Sequence, residues 1–486
     1  MSEEIRKLAP KEVWENFYQL TQIPRPSKKE AAVIAFAKKF GEDLGLKTIV
    51  DEVGNVIIKK PATPGMENRM GVILQSHLDM VPQANSTTNH DFEKDPIDAY
   101  IDGEWVTARD TTLGADNGMG VAATLAVLQA KDLQHGPIEA LFTIDEETGM
   151  TGAFGLKPGL FDGDILMNLD SEDEGELYVG CAGGEDANVT FKCTMEAIPK
   201  GYEIGAIAVT GLKGGHSGMD IILGRGNANV ILFRLLKQLE KQYSIRIASI
   251  NGGSLRNALP REAFVTYYAP EGKKQNIESD IKKFEAIIVK ELSGTEPTLG
   301  IATAKPSIAK NVIDAKTQSN LINAILACPN GVIRMSDSMP GLVETSINLA
   351  IVKSDNDKIY VQCLMRSSVD TARDALAQSV KSVFDLAGAE IKFEGGYPGW
   401  KPNMASPILK TMMEIYNKKF GKVPEIKAIH AGLECGLLGG VYPNWDMISF
   451  GPTIRFPHSP DEKVKIDTVQ KFWDFLKETL KNVPVK

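Results

Sequence analysis

Residues 137–149 read PIEALFTIDEETG, and the rest of the chain is organised around them. An apolar run from Ile138 to Ile144 stops at three consecutive carboxylates, Asp145, Glu146 and Glu147. Bounded by Gly136-Pro137 before it and Gly149 after it, the run predicts a buried strand of an α/β sheet. Open α/β sheets place their sites just outside the carboxyl ends of the strands. Acidic pairs are also common on solvated turns, so this stretch alone leaves a plain turn and a site equally open. The other strand ends decide between them.

Met70–Gln75 (MGVILQ) predicts a second buried strand, running into Ser76-His77-Leu78-Asp79. His77 and Asp79 lie two apart and point the same way in extended chain. A metal-bound histidine needs a group on its other ring nitrogen, and Asp79 is placed to orient it. Asp164–Leu169 is a further apolar run, closing on Asp170. Far along the chain, Trp445–Phe450 predicts a strand followed by Phe456-Pro457-His458-Ser459-Pro460, whose prolines fix the loop presenting His458. Leu113–Gly118 (LGADNG) leads into an Ala/Leu/Val-rich helix ending near Lys131, with Asp116 where the helix begins. Read locally, Asp116 is an N-cap.

At 486 residues the chain exceeds one ordinary domain. Its 43% hydrophobic and 24% charged content is that of a globular protein with a sizeable core, and its net charge of −9 argues against general affinity for nucleic acid or anionic membrane. The start, MSEEIRKLAP, has no apolar stretch of the secretory kind, and no later run is long enough to span a bilayer. Cys181, Cys193, Cys328, Cys363 and Cys435 are scattered and form no CxxC pair, so neither a disulfide framework nor a thiolate zinc site is expected. The expected compartment is the cytosol.

Near the start, Lys11–Thr21 and Lys28–Leu44 predict amphipathic helices separated by Ile23-Pro24-Arg25-Pro26-Ser27. Ser27 and Glu30 have the spacing of a capping box for the second helix. Short strands are expected at Lys47–Asp51 and Asn55–Lys60, and a hairpin around Asp102-Gly103 in the polar insertion Val81–Arg109. From about Glu185 to Gly395, strands and helices alternate without acids at the strand ends. Helices are expected at Gly226–Lys241, Asn276–Leu292, Thr317–Cys328 and Thr371–Leu386. In the second of these, Ile277, Ile281, Phe284 and Ile288 share one face. The order reads as two copies of a small helix-on-sheet unit, inserted into a discontinuous catalytic domain.

His77, Asp116, Glu147, Asp170 and His458 supply two imidazoles and three carboxylates. Such ligands without thiolates suit zinc, manganese or cobalt. Five are too many for one tetrahedral zinc that keeps an open position, yet they suit two ions if one carboxylate bridges them. Ions roughly 3.5–4 Å apart can activate a shared water and polarise a carbonyl. Glu146, beside a ligand, is then free to serve as general base.

With SHLDM, GADNG, DEETG, NLDSED and PHSP in this order, the chain resembles the two-zinc co-catalytic metallopeptidases, a family that includes aminoacylases, glutamate carboxypeptidases and dipeptidases. GADNG, GGHSG and HAGLECG bring it nearest to the aminoacyl-histidine (Xaa-His, carnosine-type) dipeptidases. Many relatives have Asp-Asp-Lys-Gly where this chain has Asp116-Asn117-Gly118, a departure that separates this branch from the wider family. The resemblance implies a mixed sheet flanked by helices, built from residues 1–185 and 396–486, with an α+β lid at 186–395 holding two helix-on-sheet units.

The same resemblance implies that His77 and Asp170 hold one zinc, Glu147 and His458 the other, and Asp116 bridges. It implies that Glu146 activates the water and Asp79 supports His77. A non-proline cis peptide is implied at Asp116-Asn117. In the lid, His216 of GGHSG would stabilise the oxyanion, while Asn257 and Arg366 would grip the substrate's carboxylate end and Gly432 would add a backbone contact. The implied activity is hydrolysis of a small peptide, a dipeptide of the Xaa-His type. An N-acyl amino acid deacylase, a tripeptide aminopeptidase and a binding protein without catalysis are the rival readings. Simpler lids in the family dimerise through their single unit, and the doubled lid leaves monomer and homodimer both open.

Overall fold

The computed structural model describes residues 3–486, which fall into two compact units. One comprises Met1–Gly180, Pro402–Ala428 and Leu433–Lys486; the other comprises Cys181–Lys401 and Ile429–Gly432.

The first unit is built on an 8-stranded mixed sheet. At its centre, Ile138–Thr143, Val72–His77, Ile165–Asn168 and Asp446–Ser449 lie side by side in that order, all parallel. The first two are buried at every residue, as expected of strands covered on both faces. Parallel pairing brings their carboxyl ends to one edge, so the segments after Thr143, His77, Asn168 and Ser449 emerge together. The helix Ala115–Gln129 is buried almost throughout and packs beside Lys11–Thr21, which contributes Val13, Trp14, Phe17 and Leu20 to the core. A separate 4-stranded sheet joins Ile454–Arg455 and Lys463–Lys465 to the expected hairpin, Ala99–Asp102 with Trp105–Ala108.

Two local expectations fail. The Ser27–Glu30 capping box does not form: the helix runs Ala31–Asp43 with no side-chain cap bond. The Ser27 hydroxyl donates instead to Asp79 Oδ2 at 2.8 Å, and Glu30 accepts from the N–H groups of Lys28 and Asp145. Nor is Asp116 an N-cap. Asp116 and Asn117 have non-helical backbone angles and a cis peptide joins them, so the regular helix begins only after them.

In the second unit a 9-stranded sheet carries the helices Ala228–Tyr243, Lys274–Glu291, Ala315–Ala327 and Asp370–Leu386 over one shared core. All of its pairings are antiparallel. Ile277, Ile281, Phe284 and Ile288 are the buried face of their helix. The two helix-on-sheet units are nested rather than consecutive. Gly183–Lys192 sits between Lys358–Ser367 and Glu390–Tyr397, so it is the first strand of the unit that resumes at Ala315. The other unit, Tyr202–Thr303, lies within it in sequence. Pairing of Asn251 with Lys353 and Gly252 with Val352 joins the two into one sheet.

Candidate metal centre and active site

The strand ends of the first unit bring five predicted residues together. His77 Nε2 lies 3.1 Å from Asp116 Oδ1 and 3.4 Å from Asp170 Oδ1. His458 Nε2 lies 3.3 Å from Asp116 Oδ2 and 2.8 Å from Glu147 Oε2. Each oxygen of Asp116 thus faces a different imidazole. His77, Asp116 and Asp170 form one group able to hold a metal ion, and Asp116, Glu147 and His458 form a second.

The electrostatics favour positive charge here. Hydrogen bonds to Asp116 and Glu147 push the His458 imidazolium up to about 11, and neighbouring carboxylates raise His77 despite its burial. Burial is the largest influence on Asp170 and raises it to about 7, with Asp116 and Glu147 adding to the rise. Glu147 Oε1 is buried without a hydrogen-bond partner, and Asp170 Oδ1 has only the 3.4 Å approach of His77. Carboxylate oxygens left so are expensive unless a cation meets them. The set of imidazole nitrogens and carboxylate oxygens is one that zinc, manganese or cobalt accepts. The residues fit a pair of divalent ions.

Asp79 is fully buried and ties this cluster to the DEETG turn. Its Oδ1 is 3.3 Å from His77 Nδ1 and accepts the N–H of Glu146 at 3.0 Å; its Oδ2 accepts the N–H of Glu147 at 3.2 Å. Burial would raise its pKa, but hydrogen bonds from His77, Ser27 and the Glu146 N–H hold it at about 2. The turn follows Asp145, whose backbone is left-handed at φ 51° and whose carboxylate takes the hydroxyls of Thr148 and Thr151. Glu146 opens the short helix Glu146–Gly149. Burial, reinforced by Asp170, Glu434 and Glu147, lifts its carboxyl well above the usual range.

Three contributors escaped the sequence reading. Glu462 is buried and accepts the N–H groups of Leu113, Gly114 and Asp116 at 2.7, 2.9 and 3.1 Å, so it shapes the turn that delivers Asp116. In sequence it is one charge of a polar PDEK run. Arg25 is buried and donates to the carbonyls of Leu78, Asp79 and Gly114, although its segment reads only as a helix break. Glu434 lies within HAGLECG, where the resemblance marks only Gly432. Its Oε2 accepts from Gln75 and Thr143 beneath the cluster.

His216, Asn257, Arg366 and Gly432 all lie in the second unit. His216 bridges to Ala258, beside Asn257, whose carbonyl accepts the Ser217 N–H at 2.8 Å. His216 Nδ1 accepts the N–H groups of Gly218 and Met219 at 3.2 and 3.1 Å, which leaves any ring proton on Nε2. Burial, then the nearby Arg366 charge, lowers its pKa and keeps the ring neutral. Arg366 is 6% exposed, donates to the Tyr397 hydroxyl at 3.2 Å and pairs across the sheet with Ser346. Ser346 Oγ lies 2.7 Å from Nε2 of the buried His430, a residue the sequence did not single out. Gly432 packs against Tyr397.

Residues 73–482 match the model of one peptidase class, which these clustered strand-end histidines and acids suit: the chain belongs to peptidase family M20/M25/M40. It is 46% identical over 483 residues to the cytosol non-specific dipeptidase of Escherichia coli (strain K12), covering 99% of this chain and 100% of that one. The crystal structure of aminoacylhistidine dipeptidase from Vibrio alginolyticus is 51% identical with a TM-score of 0.95, covering 100% of this chain and 99% of that one. The aminopeptidase PepT from Bacillus cereus, at 16% identity and a TM-score of 0.58 over 98% of this chain and 99% of that one, shares the fold alone. Peptidases of this family are dinuclear metal enzymes. Among the described residues no helix is long and apolar enough to cross a membrane.

Proposed function

We propose that this protein is a dinuclear metallo-dipeptidase that accepts Xaa-His dipeptides. The observation that carries the reading is Asp116, which turns one carboxylate oxygen toward His77 and the other toward His458 and belongs to both candidate groups. His77 and Asp170 would hold one ion, Glu147 and His458 the other, and Asp116 both; zinc is the metal we assign. Bound there, the pair would supply Lewis-acid polarisation of the scissile carbonyl and a more acidic water.

The chain's own groups then divide the reaction. Glu146 takes the proton from the attacking water and delivers it to the amide nitrogen that leaves. A carboxyl with a raised pKa suits both transfers, because its two protonation states are closer in energy at neutral pH. Asp79 keeps the His77 ring oriented through Nδ1 and aligns the backbone of Glu146. His216, neutral and protonated on Nε2, donates to the carbonyl oxygen as it gains charge. Arg366 and Asn257 grip the substrate's terminal carboxylate, and the Gly432 backbone adds a contact. The name of the E. coli relative supports a cytosolic setting.

The test compares metal-reconstituted enzyme on β-Ala-His, Gly-His, Gly-Leu, a tripeptide and an N-acetylated amino acid. Dipeptides should far outrun the tripeptide and the acetylated compound. Faster cleavage of the acetylated compound makes the enzyme a deacylase, and faster cleavage of the tripeptide makes it a tripeptidase. Equal rates on all three dipeptides remove the histidine preference and leave the dipeptidase.

A further inference from the structure

Glu434 opens the helix Glu434–Val441 and is 2% exposed. Its Oε2 accepts from Gln75 Nε2 at 2.6 Å and from the Thr143 hydroxyl at 2.8 Å. Gln75 stands two residues before His77, and Thr143 pairs with His77 across the sheet. The carboxylate is therefore pinned at the strand ends, where the charges of His77, Asp170 and Asp79 act on it and it acts on Glu146. Its other oxygen, Oε1, is buried without a hydrogen-bond partner.

A structural role does not account for a carboxyl group at this position. Gln75 Oε1 already accepts from Asn168, and Asn168 from Ser449, so the sheet holds this row of side chains from the far side. A glutamine at position 434 could accept the same two donors. Burial raises the Glu434 carboxyl to about 7, and with Oε1 offered to nothing its ionised form calls for a cationic partner. The substrate of the proposed reaction carries one. In a dipeptide the α-ammonium is attached to the carbon next to the scissile carbonyl, the carbonyl on which Glu146 acts.

We propose that Glu434 Oε1 receives the free α-ammonium group of the dipeptide, which makes Glu434 the residue that selects for an unblocked amino terminus. The inference rests on the dipeptidase reading and deepens it. A blocked or missing amine would leave the buried carboxylate unpaired, so acyl amino acids are rejected through the cost of that mismatch.

Gly-His and acetyl-His test it, because they share the scissile bond and differ only in an ammonium group replacing a hydrogen. Their kcat/KM ratio is measured for wild type, Glu434→Gln and Glu434→Asp, with metal content and Tm alongside. Glu434→Gln should lower the ratio by about 30-fold or more, mainly by slowing Gly-His, with metal content unchanged. Glu434→Asp keeps the charge and should retain part of the preference; it supplies the same readout if the Gln variant fails to fold. A folded Gln variant that loses rate equally on both compounds, with its ratio intact, overturns the proposal and leaves Glu434 a structural prop. Wild type that cleaves neither compound overturns the dipeptidase reading itself, so the two failures are distinct.

Discussion

Glu146 and Glu147 are neighbours in sequence with different surroundings. Glu147 lies 2.8 Å from His458, whereas Glu146 is grouped with His77 and Glu147 but belongs to neither group built around Asp116. Glu146→Gln should keep both metal ions and lose turnover by about 10²–10⁴-fold; elemental analysis beside single-substrate kinetics checks both halves. In the lid, the hydrogen bonds at His216 Nδ1 keep Nε2 as a donor, and a donor to developing charge acts on the transition state. His216→Ala should lower kcat by about 10²–10³-fold with little change in KM. Arg366→Ala should instead raise KM by about 10- to 100-fold, the worth of a charged hydrogen bond to the terminal carboxylate. Wild-type constants in both variants would make the lid a structural appendage.

At the scale of elements, the turn Leu113–Asp116 shows how a site is shaped from a distance. It has no side-chain cap of its own, and its N–H groups converge on Glu462. Glu462→Ala would leave three buried donors unpaired and the Arg25 charge less balanced. The expected loss is about 3–5 kcal/mol in denaturant titration of the metal-free protein, with weaker metal affinity because Asp116 is no longer held in place. Affinity measured against a competing chelator checks the second effect. Unchanged affinity would mean that the cis Asp116-Asn117 turn is held without Glu462. The same element explains why the local reading of Asp116 failed. An aspartate before an apolar helix has the sequence of an N-cap whether or not it caps, and its direction is set by two histidines remote in the chain.

At the scale of the molecule, stability should depend on His135, which lies away from the metal centre at the entry to the central strand. It is buried, its Nδ1 lies 2.7 Å from the Gly136 carbonyl, and burial lowers its pKa from 6.5. The folded protein therefore binds this proton less readily than the unfolded chain. Stability is full above the unfolded pKa, falls as pH drops below about 6.5, and levels off once pH passes below the folded pKa. His135→Gln should flatten that part of the profile. The difference between wild-type and variant Tm from pH 8 to pH 5 isolates the effect from the metal ligands, which titrate in both proteins.

The sequence by itself determined the central strands, the helices of the second unit and the strand ends that carry the candidate ligands, but not strands such as Gly183–Lys192 and Glu425–Ile429. Local pattern records burial directly: Ile138–Thr143 is a mainly apolar run because both of its faces are covered, and Ile277, Ile281, Phe284 and Ile288 mark one buried helical face. The motifs named the five ligand candidates together with Glu146 and Asp79. Which atoms meet was decided only by the tertiary structure. Ser27 turns from its own helix to Asp79, Glu462 reaches Asp116 across 346 residues of chain, and Gly183–Lys192 joins a unit whose next element begins at Ala315. Such pairings are fixed by the order of strands in the sheets and by the need to satisfy buried donors and charges. That need is settled between segments far apart in the chain, where spacing along the sequence carries no record of it.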